Sequence, residues 1–145
     1  MIVRWAAALC ILTLLAGCGG SEEAREEDYA RGNAALLETL PLPDGASEIR
    51  TETEGYEPTA YATNARFRAA KGTTAKGLAG FYFEQLRPRW RLVERSVYPQ
   101  ANGNSIVILG FRQGEAGVWL NTADLHATGQ FELIVDHRAW KTPRS

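Results

Sequence analysis

The sequence predicts an α+β fold: a two-layer sandwich whose mostly antiparallel sheet of five or six strands carries one packed helix behind a helical N-terminal tether. Three observations predict it. Short alternating apolar segments follow one another between Arg89 and Asp136, broken by Gly- and Asn-containing turns, which is the spacing of an antiparallel meander. Residues 73–87 carry apolar side chains at helical rather than strand spacing. Two further alternating segments precede that helix, which gives the order helix, two strands, helix, four strands, with the helix on one face of a mostly antiparallel sheet.

Met1 to Gly17 has a basic start at Arg4, an uncharged apolar core from Trp5 to Ala16, and small residues before Cys18. That is the layout of a secretory signal peptide, and the run is short for a membrane-spanning helix. Leu15-Ala16-Gly17-Cys18 resembles the lipobox of bacterial lipoproteins. The resemblance implies that residues 1–17 are cleaved and that Cys18 carries lipid. It implies a membrane as partner through that lipid, and an extracytoplasmic location. Gly19 and Gly20 stand where an inner-membrane retention aspartate is found in that family, so the periplasmic side of an outer membrane is expected in a two-membrane cell. Two or three acyl chains, at ~0.8 kcal/mol per buried methylene, hold a protein firmly.

With Cys10 lost in the leader and Cys18 lipidated, no disulfide, cysteine metal site or cysteine nucleophile is expected in the mature domain. Residues 18–40 read as a lipidated, acidic, partly helical tether, and residues 41–140 as one domain. Residues 141–145 read as a frayed tail. The net charge of −1 hides an asymmetry: Glu22, Glu23, Glu26, Glu27 and Asp28 face only Arg25 in the tether, and the rest is mildly basic. No nucleic-acid partner is expected from that balance.

In the tether, Tyr29, Leu36, Leu37 and Leu40 form a narrow apolar stripe, consistent either with a spacer or with a helix whose end docks on the domain. Pro41, Pro43 and Gly45 end it. Ser47–Thr53 alternates as a half-buried strand, and Gly55–Pro58 breaks it. Tyr61–Ala69 follows, with Tyr61, Thr63, Ala65 and Phe67 on one face and Arg66 and Arg68 on the other. These two strands are expected as a hairpin at the sheet edge. The helix over 73–87 is capped by Thr73 or Thr74 and stopped by Pro88; Ala75, Leu78, Ala79, Tyr82 and Leu86 form its buried stripe. Gly77 and Gly80 lower its propensity by up to ~1 kcal/mol each and suggest close approach to a sheet.

After the helix, Arg89–Tyr98 places Trp90 and Leu92 opposite Arg89, Arg91, Val93 and Arg95. Asn102-Gly103 is a turn pair suited to positive φ. Ile106 to Phe111 is apolar on both faces, as in a central strand, and Ile106 and Ile108 are expected in the core. Val118–Thr122 and Gln130–Asp136 complete the set, joined by a loop from Thr122 to Gly129. The order is similar to that of small uncharacterised envelope lipoproteins with a proline–glycine turn (Pro43-Asp44-Gly45), a strand (Ile49–Thr53), a Phe-Tyr helix (Phe81-Tyr82) and a Trp-bearing strand (Trp90). That resemblance implies no activity.

The serines stand in no nucleophile elbow, and no glycine run resembles a phosphate loop or a dinucleotide fingerprint. Asp124 and His126 share a loop and are the alternative site, for an envelope enzyme or a metal-binding protein. Asp136 and His137 are strand neighbours and point apart. No cofactor is expected. The favoured reading is a membrane-anchored envelope protein with a non-enzymatic binding, assembly or structural role. Its candidate ligand face is basic: Arg66, Arg68, Arg89, Arg91 and Arg95, on adjacent strands, suited to an anionic polymer, head group or protein partner.

Overall fold

A computed structural model describes residues 22–57 and 60–137. The leader, the Leu15–Cys18 motif, Pro58 and the 141–145 tail lie outside the described residues. The elements are α1 (Glu22–Glu38), β1 (Ser47–Glu57), β2 (Ala60–Arg68), α2 (Ala75–Leu86), β3 (Arg91–Pro99), β4 (Ser105–Gln113), β5 (Ala116–Asn121), a short α3 (Leu125–Thr128) and β6 (Gln130–His137).

The six strands form one sheet in the order β1-β2-β6-β5-β4-β3, every pair antiparallel. Strands β3 to β6 are the expected meander, turned between β3 and β4 by Gly103 at φ +81°. The β1–β2 hairpin then attaches through β2 to β6, so β2 is interior and only β1 and β3 are edges. Strand β1 continues to Glu57, past the expected break at Gly55.

Both long helices pack on one face of the sheet. Helix α2 starts at Thr74, whose hydroxyl accepts a 3.0 Å hydrogen bond from the Gly77 N–H. Leu78, Tyr82 and Leu86, four residues apart, are its buried stripe. Helix α1 covers β1, β2 and β6, burying Tyr29 and Asn33, with Leu40 sealing its end. This corrects the tether drawn to residue 40: from Tyr29 onward the helix belongs to the domain. The core between the layers is built from Phe67, Phe131, Leu133, Val135, Val118, Leu120, Val107, Leu109 and Phe111. Phe67 and Phe131 stack at 5.4 Å, and the Tyr82 ring lies 6.3 Å from Phe131.

Strand β4 corrects one core assignment. Its buried set is Val107, Leu109 and Phe111, while Ile106 and Ile108 are half-buried on the opposite, helix-free face. Trp90 is half-buried, ahead of β3 rather than in it. Strand β3 also has a bulge between Leu92 and Glu94, and one extra residue there reverses the facing of everything after it. Gly77 and Gly80 do not meet the sheet. A Cβ at Gly77 would meet the Thr74 hydroxyl, and one at Gly80 would meet nothing within 4 Å.

Candidate functional site

The register separates the five arginines of the basic face. Arg66 and Arg68 sit on β2, opposite Glu132 and Gln130 of β6, on the helix-free face. Arg91 pairs with Arg112 on that same face, but three strands intervene between β2 and β3. At ~4.8 Å per strand step the two groups are roughly 19 Å apart. Arg89 lies in the turn before β3. Arg95, turned by the bulge, pairs with Leu109 on the helix-bearing face. A single five-arginine patch is therefore corrected. Arg66 is also neutralised: it donates through Nε and Nη2 to Glu132, and Asp124 lies 3.9 Å away. The Glu132 hydrogen bond, then its charge, raises the Arg66 pKa further above its ordinary value.

The Asp124/His126 loop forms the short helix α3. Its Asp124 is drawn toward Arg66, and His126 is exposed. Among the described residues, no three His, Cys, Asp or Glu side chains come together as a metal-ligand group. Asp136 reaches over Gly117 of β5 to accept a 3.4 Å hydrogen bond from Arg112 of β4, and its Oδ1 is buried with no partner among the described residues. The His137 side chain lies outside the described residues.

Two arrangements emerge that the sequence does not announce. On the helix-free face, the Trp119 indole lies flat on backbone. A Cβ at Gly110 would come within 2.5 Å of its Nε1, and a Cβ at Gly117 within 2.5 Å of its Cη2 and Cζ3. Arg112 caps the ring at 5.0 Å and is held by Asp136 and, at 3.4 Å, by the Glu115 carbonyl. Two glycines, an indole and a guanidinium thus form one stack, flanked by Ile134 directly across β6.

On the other face, α2 leaves the edge strand β3 uncovered. Between them runs a groove of about 500 Å³, with Ala79, Gly80 and Phe83 on the helix wall and Val97, Val107 and Leu109 on the sheet wall. Lys76 and Arg95 stand at its rim, one on each wall. Neither has a carboxylate partner among the described residues. At the Lys76 and Ser105 end the groove meets a polar depression lined by Thr73, Thr74, Asn104 and His126. A trough of this size with apolar walls and a few polar groups at one end is the usual form of a small-molecule site. Val97 is 51 % exposed, an unusual state for a valine on the core side of a sheet.

No protein-family model, no curated protein and no solved structure matches this chain. Sequence reasoning missed Lys76, Gly80 and Val97 as site residues. The one available signal was a glycine inside a helix; the facing of Val97 follows from the bulge between Leu92 and Glu94, and a bulge has no composition of its own.

Proposed function

We propose that this protein is a lipid-anchored component of a bacterial cell envelope, facing the periplasm from the outer membrane where the cell has one, and that its domain acts by binding rather than by catalysis. The reading rests first on Leu15-Ala16-Gly17-Cys18 at the end of an uncharged apolar core. No described helix is long and apolar enough to cross a membrane. Docking of α1 supports the same picture from the domain side. Tyr29 is buried and the helix already runs from Glu22, so little free chain separates Cys18 from the packed body. At ~3.5 Å per extended residue and ~1.5 Å per helical residue, Cys18 reaches at most roughly 25 Å from Tyr29. The domain would ride against the membrane surface.

Binding is supported by the groove and its two unpaired rim cations. Catalysis has no comparable support, since Asp124 is engaged by Arg66 and His126 stands in solvent. The test is metabolic labelling with a radioactive fatty acid. Wild type should take up label and fractionate with membranes, and Cys18→Ser should accumulate as an unlabelled precursor. Equal labelling of both chains would remove the anchor and the location with it.

A further inference from the structure

We propose that the groove between α2 and β3 is a binding site for a single-chain anionic amphiphile, a long-chain fatty acid, with the alkyl chain in the trough and the carboxylate at the Lys76 end. The inference deepens the binding half of the proposed function and does not depend on lipidation of Cys18.

Four features select this ligand class. The walls, from Ala79, Gly80, Phe83, Val97, Val107 and Leu109, offer hydrocarbon contact and no acidic group. The volume of about 500 Å³ falls inside the ~300–1,000 Å³ range of small-molecule sites. Lys76 brings a positive charge to one end of the rim with no carboxylate partner among the described residues, so a bound monoanion complements it there. Polar groups gather at one end, where Lys76 and Ser105 are shared with the depression that holds Thr73, Thr74, Asn104 and His126, while Arg95, paired with Leu109, stands four residues along β4 from Ser105. That end is also the N-terminus of α2, where the helix dipole favours a negative charge. Apolar along its walls and cationic at the Lys76 end, the trough has the polarity of a fatty acid. The bulge between Leu92 and Glu94 keeps an acid out of the trough, since without that extra residue Glu94 rather than Arg95 would face the helix.

Photo-crosslinking tests this on the intact chain held in nanodiscs of zwitterionic lipid, with palmitate carrying a diazirine near its methyl end as probe. Adducts should map to peptides containing Phe83, Val97 or Leu109. Excess palmitate should abolish them, and hexadecanol, which lacks the charge, should compete at least ten-fold less well. Lys76→Gln should reduce labelling about ten-fold, and Arg68→Gln, on the other face, should not change it. Gly80→Leu fills open space in the trough and favours the helix; it should abolish labelling without lowering the melting temperature. Equal competition by hexadecanol, labelling indifferent to Gly80→Leu, or adducts spread over the surface would each overturn the proposal. A chain without lipid on Cys18 would fail to stay in the nanodisc yet still label in free solution, so loss of the anchor and loss of the site are told apart.

Discussion

Replacing Gly117 with alanine should displace the Trp119 indole from the sheet. The new Cβ would lie 2.5 Å from both Cη2 and Cζ3 of the ring and 2.5 Å from Asp136 Oδ1, where carbon atoms pack comfortably at ~3.5–4.0 Å. The carboxylate ends a partly exposed side chain and can turn aside. The indole cannot, because Gly110 supports its other end and Arg112 covers it. Overpacking of this kind costs ~1–3 kcal/mol. Losing the Arg112 contact adds ~0.5–1 kcal/mol, and the better strand propensity of alanine returns a similar amount. The net expectation is about 2 kcal/mol, which at a urea slope of ~2 kcal/mol per molar lowers the midpoint by about 1 M. A double-mutant cycle isolates the cause. In a Trp119→Leu background, Gly117→Ala should cost less than ~0.5 kcal/mol, a coupling well above the additivity error of such cycles. Additive effects would refute the stack, because they would mean that the ring does not rest on Gly117.

Other expectations concern the core. Leu109→Ala should cost ~2–5 kcal/mol in denaturant unfolding and Ile108→Ala much less, because only Leu109 points between the layers. Burial raises the Tyr82 phenol pKa above its ordinary value, and its hydroxyl has no partner among the described residues. The sign follows: above pH ~10 the unfolded chain loses this proton while the folded chain keeps it, so stability falls with rising pH there. Tyr82→Phe should remove that share of the alkaline loss in melts between pH 9 and 11, with no loss of stability at pH 7. The Thr122 hydroxyl accepts from the Val107 N–H at 2.8 Å in a buried position, so Thr122→Val should cost ~1–3 kcal/mol and lower the thermal midpoint.

Much of the fold was legible because its signals are local and periodic. Leu78, Tyr82 and Leu86 at four-residue spacing gave the helix and its buried side. Phe131, Leu133 and Val135 gave the inner face of the last strand, and Asn102-Gly103 gave a turn. Strand β4 was harder for a physical reason. Ile106 to Phe111 is apolar at both parities, so nothing in the segment says which set faces the helices. The helix-free face keeps Ile106, Ile108, Ile134 and Trp119 half-buried, which erases the contrast that alternation needs. The site was illegible for a different reason. One inserted residue near Val93 moved Arg95 to the opposite face, and sheet order set Arg66 and Arg91 far apart. Neither a bulge nor a non-local strand order has a local sequence signature. The docking of α1 was open for a related reason, since a narrow stripe of four residues suits a spacer as well as a packed helix.

The intact mass of the chain extracted from the membrane fraction tests the central claim, that this is a lipid-anchored binding domain, most directly. A polypeptide beginning at Cys18, heavier than residues 18–145 by a diacylglyceryl group and an amide-linked acyl chain, is the predicted result. A chain that retains residues 1–17, or one that begins elsewhere with Cys18 unmodified or absent, would contradict the account.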